Sequence, residues 1–446
     1  MLGRAAGRVA FPDAETWGLG RDESGGLSIG SIDVVDLVES YGSPIHVVDL
    51  DRLDEMLDVH AIGSAGVSMM ATHRSVHVAG LVTRVAEAGW AIWSSSPYEL
   101  QATLDAGVAP AQVVHSPRVW TDDDVALASD AQVGIACVSS RHDLERLAPA
   151  VTTLADTGGA TRLGIAVDVA VDTAASFDDP TGIDVAVARF DEMLAAAAAA
   201  SLAPDHLHLR LADRRIGTDE VDRVADLVVA FLHRVADRST PRSVAVSVDL
   251  RAPTVRRLDP VRARLNRSLA VPLPAFSPGE SVHAAVRRFR RRLASAGHTD
   301  LEIVFDPGTA ATASAQFTLA TVLDIDRGAT VEHVVLDAGM NLADDTLVEY
   351  HELVTARTGD AAAPLRSYRF VGPICTPADV LFANCWLPEV RVGDVMAMMD
   401  TGGGYVASST FFSFPRPAVV GVSRSDGSRL LRRAERFDDL VALDRR

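Results

Sequence analysis

The sequence predicts an α/β protein: an N-terminal (β/α)8 TIM barrel followed by a C-terminal, mostly β domain. Two observations predict it. From Ile45, short β-branched runs alternate with Ala- and Leu-rich helical stretches, seven or eight such units in about 260 residues. After about Ala310 the helical signal fades, and strand-like runs separated by Gly and Pro take over. A doubly wound open sheet is the competing architecture, but no G-x-G-x-x-G follows the first strand.

In chain order, residues 1–44 read as a loop-rich lead that packs with the β domain. Residues 45–310 read as the barrel domain. Its strand runs are Ile45–Val48, Val113–His115, Val133–Val138, Leu163–Val169, His206–Leu211, Val244–Leu250 and Glu302–Phe305. Helices fall between them at Val78–Ala88, Pro97–Ala106, Asp122–Ala128, Arg141–Ala148, Ile183–Ala200 and Asp219–Val235. Residues 311–446 read as the β domain, with runs at Phe317–Ile325, His333–Leu336, Arg369–Val371, Val395–Met399 and Val419–Val422. The Arg-rich segment Arg287–Arg292 reads as a solvated helix face.

Composition narrows the function. The chain of 446 residues carries a formal net charge of −18, which argues against nucleic acid and anionic membranes as partners. Three cysteines, Cys137, Cys375 and Cys385, exclude a disulfide scaffold. Met1–Ala10 lacks the apolar core of a secretion signal, and no run of about 20 apolar residues occurs, so the expected location is cytoplasmic. All 42 residues counted as Lys plus Arg are Arg. No side chain therefore offers the primary amine that a Schiff base to a carbonyl cofactor requires.

The order of motifs resembles the fold-type III pyridoxal-phosphate-dependent decarboxylases, the diaminopimelate/ornithine/arginine decarboxylase family. Gly42–Leu50 resembles that family's first barrel strand, and Ser96-Pro-Tyr-Glu-Leu100 with Ala102–Gly107 its S-x-x-E-L…A-x-x-A-G segment. Asp306-Pro-Gly308 resembles E-P-G-R, and Asp337–Asn341 resembles D-x-G-M-N. Gly372–Asp379 resembles G-P-x-C-E-S-x-D, and Gly393-Asp394 with Asp400–Tyr405 the late G-D and G-A-Y. The resemblance implies an alanine-racemase-like barrel with a C-terminal β-sandwich-like domain. It also implies a head-to-tail homodimer with shared sites, and a cofactor at the C-terminal mouth of the barrel.

The cofactor positions depart from that pattern. The family lysine falls at His73 in Met70–Ser75, and the ring-stacking histidine near Arg210. The phosphate-binding glycines fall at Arg251-Ala-Pro253, and the E-P-G-R arginine at Thr309. Asp306 keeps a carboxylate where the family acid pairs the pyridine nitrogen. Cys375 keeps the place of the family's partner-supplied catalytic cysteine, although Thr376 replaces the acid after it; Asp379 remains, and Tyr405 matches a tyrosine that in the family touches the cofactor. These losses, with the missing lysine, give the expectation that pyridoxal phosphate is not the cofactor.

What replaces it is read from three features. Arg74, Arg210 and Arg251 map near the mouth, where an anionic small molecule or nearby carboxylates would balance them. The alternative is that each arginine points outward to a surface acid. His73 suits a general base, a metal ligand or a haem axial ligand, with His77 four residues on; a satisfied core histidine is the competing reading. Trp93 either fills cofactor space or stacks on a flat ligand. Cys375 and Tyr405 are candidate catalytic groups or packed core residues; Asp306 and Asp379 are candidate ligand contacts. The expected function is a repurposed enzyme, independent of pyridoxal phosphate, acting on an amino-acid-derived or other anionic small molecule, with a haem or metal on His73 as an option. The alternative is a non-catalytic pseudoenzyme that regulates or scaffolds a partner decarboxylase or biosynthetic enzyme.

Overall fold

The computed structural model describes residues 14–62, 66–156, 161–169, 180–257, 279–327, 331–342, 349–357 and 364–445. The chain divides into two compact units. One comprises Met56–Pro253 with Gly279–Ala311, the other Met1–Glu55, Thr254–Pro278 and Thr312–Arg446. The start Met1–Ala10 lies outside the described residues.

The first unit is a closed barrel of eight strands: β1 (Val67–Thr72), β2 (Ala91–Ser94), β3 (Val113–His115), β4 (Ile135–Val138), β5 (Arg162–Val169), β6 (His206–Ile216), β7 (Ser243–Leu250) and β8 (Glu302–Asp306). Every neighbouring pair is parallel, and β8 closes on β1 with Phe305 opposite Met69. Parallel strands need crossover helices, and local signals place them. Ser96 caps Pro97–Asp105, accepting from the Glu99 amide, with Pro97 in the first turn. Thr121 and Asp124 form a reciprocal capping box at Asp122–Ala131. Val221–Val235 buries Val221, Val224, Ala225, Val228, Phe231 and Leu232, one stripe at helical spacing. In helix Val282–Ser295 the arginine segment is only partly a solvated face. Arg288 and Arg292 pair with Asp222 and Asp226, and Arg290 is buried and donates to the His298 carbonyl.

The second unit is built on a nine-stranded sheet. Its central strand, Gln316–Arg327, pairs with Ile45–Asp49, Val395–Met399 and Glu332–Leu336. The expectation that Gly42–Leu50 opens the barrel is corrected here. Ile45–Asp49 lies antiparallel to Gln316–Arg327 (Val47 opposite Phe317) and parallel to Ala418–Ser423 (Val47 opposite Val420). All five of its residues are buried. A strand covered on both faces reads as a continuous apolar run in either kind of sheet, so periodicity could not assign it. The lead packs on this sheet: Trp17, Leu27, Ile29 and Val34 join one cluster with Val47, Phe317 and Val420. Among the described residues no helix is long and apolar enough to cross a membrane.

Candidate active site at the C-terminal end of the barrel

Strand alternation builds the barrel interior in layers. Met70, Val114, Cys137, Ala166, Ala245 and Val304 fill an apolar middle layer. Two residues further along the strands, towards their C-terminal ends, the inward positions turn polar. Asp168, Arg210, Ser247 and Asp306 stand there, with Ser116 just past β3.

These polar groups form a chain across the barrel. His208 is fully buried, with Nε2 2.8 Å from Ser247 Oγ and Nδ1 3.2 Å from Ser116 Oγ. Ser247 also hydrogen-bonds Asp306. A carboxylate only accepts, so with Asp306 ionised Ser247 donates to it and accepts from the His208 Nε2–H. Burial drives the His208 imidazole well below its ordinary range, helped by the adjacent Arg210 charge, so the ring is neutral. Burial also pushes the Asp306 carboxyl up to about 7, although Gly308 N–H donates to it at 2.9 Å and Ser247 and Arg74 pull the other way. A buried acid that titrates near neutrality in a barrel mouth marks a functional site. Trp93 meets His208 edge-on with ring centroids 5.0 Å apart, and its Nε1–H donates to the Ser116 carbonyl.

The three arginines behave differently. Arg210 is buried and makes a two-pronged pair with Asp168, Nε–Oδ1 2.8 Å and Nη2–Oδ2 3.2 Å. Its charge is balanced from within, because Arg210 and Asp168 are register partners on β6 and β5. Arg74 is exposed, yet its charge is felt at Asp306. Arg251 is half-buried just past β7, and its Nη1 is buried without a hydrogen-bond partner among the described residues. Thr309 donates to Asp249 Oδ1 at 3.0 Å, so it ties the loop after β8 to β7.

His73 sits in a short 3-10 turn past the end of β1. It is buried, with Nδ1 2.9 Å from Thr103 Oγ1 in helix Pro97–Asp105 and its ring edge-on to His77 at 5.5 Å. Burial lowers its basicity; the Glu99 carboxylate opposes this and His77 adds to it. Among the described residues no group of three or more His, Cys, Asp or Glu side chains is placed to hold a metal ion.

In the sheet unit Cys375 is exposed. Asp379 is buried and accepts from the Met340 and Ile374 amides, both at 2.7 Å, so it pins the loop carrying Cys375 to the Gly339–Leu342 turn. Gly372 makes that close approach feasible: a Cβ there would lie 2.4 Å from Asp379 Oδ2. The Asn341 carbonyl accepts from the Thr410 N–H at 2.9 Å and its side-chain amide donates back to the Thr410 carbonyl at 3.4 Å, just past the short helix Tyr405–Ser408. Tyr405 is buried with its ring against His351 at 5.3 Å.

Sequence reading passed over His208, Ser116, Ser247 and Asp168. The available signal was parity: His206, His208 and Arg210 share one face of β6, so an inward Arg210 requires an inward His208.

The comparisons agree with this architecture. The model of the family described as "Pyridoxal-dependent decarboxylase, C-terminal sheet domain" matches residues 45–402. A diaminopimelate decarboxylase from Mycobacterium bovis is 26% identical, covering 95% of this chain and 96% of the relative. One from Halalkalibacterium halodurans is 25% identical over 94% of this chain and 95% of its own. A diaminopimelate decarboxylase from M. jannaschii, solved in complex with L-lysine, superimposes with a TM-score of 0.76 at 16% identity, over 96% of this chain and 98% of that one. These findings overturn three expectations: the repurposed enzyme independent of pyridoxal phosphate, with haem or a metal on His73 as an option; the pseudoenzyme; and the exclusion of pyridoxal phosphate. The physical reason is that a missing lysine removes one covalent anchor. Binding of a ring and a phosphate depends on other groups, so loss of the anchor does not exclude the cofactor. The chain belongs to the pyridoxal-dependent decarboxylase family.

Proposed function

We propose that this chain decarboxylates an α-amino acid at the C-terminal end of its barrel, with diaminopimelate, the substrate in its relatives' name, as the first candidate. The observation that carries this reading is the polar chain Ser116–His208–Ser247–Asp306, which ends on an acid near neutrality, in a family member that matches its relatives end to end. Arg74, near Asp306, supplies positive charge that a carboxylate substrate needs. Arg210 is spent on Asp168 and orients rather than binds. Asp306 holds or releases a proton at physiological pH, and Ser247 with His208 fixes its orientation. The half-buried Trp93 offers a flat face beside them.

The family description implies pyridoxal phosphate, and the residues fit it only in part. Covalent attachment needs a primary amine, and the chain contains no lysine. At the strand-end position where the motif order puts the family's lysine stands His73, whose ring nitrogens carry at most one hydrogen each. The residues do not fit a tethered cofactor.

Two further elements belong to this reading. Cys375, Asp379 and Tyr405 serve a site shared across a head-to-tail homodimer, as the resemblance implies. A cytoplasmic location accords with three cysteines, none of them in a disulfide, and with small-molecule chemistry. The test is release of CO2 from diaminopimelate, lysine, ornithine and arginine by purified protein, with and without added pyridoxal phosphate. Release from at least one substrate above an Asp306→Asn control is expected. No release from any of them sinks the reading.

A further inference from the structure

We infer that this chain holds pyridoxal phosphate as an exchangeable, untethered ligand. The inference rests on the decarboxylase reading above and sharpens its cofactor chemistry. A stable link to the aldehyde requires a nitrogen that brings two hydrogens, one oxygen leaving as water. Arginine guanidinium stays protonated and delocalised, and is no nucleophile at working pH. Imidazole nitrogen has no second hydrogen to give up. All 42 Lys-plus-Arg positions are Arg, so no side chain of the protein meets the requirement.

The geometry at His73 shows what stands at the strand end instead. The Thr103 hydroxyl has one hydrogen, and it is donated to the Glu99 carbonyl at 2.7 Å. Thr103 Oγ1 therefore accepts from the His73 Nδ1–H at 2.9 Å. That fixes the tautomer and leaves Nε2 as a bare acceptor. Burial keeps the ring neutral. The residue is locked to the helix after β2 as a hydrogen-bonding group with no bond to offer an aldehyde. The grip on the cofactor is then non-covalent. The Arg251 cation, whose Nη1 lacks a hydrogen-bond partner among the described residues, takes the phosphate, and the Trp93 face and the Asp306 carboxyl border the ring.

The experiment uses the full chain and pyridoxal phosphate itself. Protein is titrated with the cofactor while tryptophan fluorescence is followed. A saturated sample is then split between gel filtration and borohydride reduction with intact-mass analysis. The expected result is saturable quenching, full loss of cofactor on gel filtration, and an unchanged protein mass after reduction. An Arg251→Ala variant is expected to bind at least tenfold more weakly. A stoichiometric pyridoxyl adduct on the reduced protein, at any nitrogen, overturns the inference, and so does the absence of saturable binding. Failure of the two readings is separable. Reversible binding without CO2 release sinks only the decarboxylase reading, whereas CO2 release that needs no added cofactor, from protein that does not bind it, sinks only this one.

Discussion

The barrel carries a second buried polar layer at the opposite end of the same strands, and the two behave differently. At the N-terminal end the Arg162 Nε–H is shared between the two Asp205 oxygens at 3.1 and 3.0 Å, and its Nη2 reaches Ser243 Oγ at 2.9 Å; His206 Nδ1 meets the same hydroxyl at 2.7 Å. At the C-terminal end Arg210 forks onto Asp168 and His208 meets Ser247. Each end has an arginine–aspartate pair, two-pronged only at Arg210, a neutral buried histidine and a serine. The difference is Asp306, which hangs on the C-terminal chain as an uncompensated acid. The N-terminal layer has no such acid, although its His206 Nε2 is buried without a hydrogen-bond partner among the described residues; the C-terminal layer is left with a titratable group. Barrel enzymes keep chemistry at the C-terminal face and stability at the other, and here the contrast comes down to one carboxylate.

The largest test of that contrast is pH. Asp306 titrates near 7 in the folded state and 3.8 is its ordinary value. The native protein therefore keeps a proton that the unfolded chain releases. The stability this group contributes is full below about pH 4 and is lost as pH rises to about 7. His206 has the opposite sign. Burial, with Arg162 beside it, pushes it down to about 3 from 6.5, so its contribution is full above about pH 6.5 and is lost as pH falls. Asp306→Asn is expected to remove the alkaline loss, a difference of at most about 4 kcal/mol across that window, and to leave the acid limb intact. Urea unfolding of both proteins from pH 4 to 8 measures it. Parallel profiles would show that Asp306 is ionised throughout and that the two ends are alike.

Breaking a fork comes next. Arg210→Ala leaves Asp168, which is partly exposed, with only the exposed Arg118 at 3.6 Å, so the loss is discounted to about 2 kcal/mol from the 3–5 typical of fully buried pairs. The same change should lift the basicity of His208, because the Arg210 charge helps to depress it. Denaturant midpoints give the first effect and histidine NMR titration the second. At the other end Gly164→Ala is expected to cost about 1–3 kcal/mol by overpacking, since a Cβ there would lie 2.6 Å from Cys137 Sγ and 3.0 Å from His206 Cδ2. Retained ligand binding in Gly164→Ala would confirm that this end is structural; a stability matching the parent would show a looser layer than the contacts imply.

Much of this architecture was legible in the sequence, and the gaps have physical causes. The strand–helix alternation revealed the barrel, but β1 and β2 went unmarked because Met70, Ala71, Ala91 and Trp93 lack the β-branched signature. Ile45–Asp49 was assigned to the barrel because burial on both faces erases the period-2 signal. Asp306 and Arg210 were placed at the mouth by motif order. The pairing of Arg210 with Asp168 depends on strand register, and the Ser116–His208 contact joins positions 92 apart in the chain. Neither leaves a local trace. The bond of His73 to Thr103, which ties it to the helix after β2, likewise joins positions 30 apart in the chain.

The smallest expected effect concerns Trp93, the aromatic of the C-terminal layer. Trp93→Phe keeps a flat ring near His208 and deletes the Nε1–H that the Ser116 carbonyl accepts at 3.1 Å. A buried acceptor stripped of its donor typically costs about 1–3 kcal/mol. Here Arg210 Nη1 stands 3.5 Å from the same carbonyl, long but able to tighten, and Trp93 is itself half-buried, so water can reach its edge. The expected loss of stability is therefore only about 0.5 kcal/mol, read from the urea midpoint. A loss above about 2 kcal/mol would mean that Arg210 is held by Asp168 too firmly to turn, making the C-terminal layer as rigid as the one at the far end.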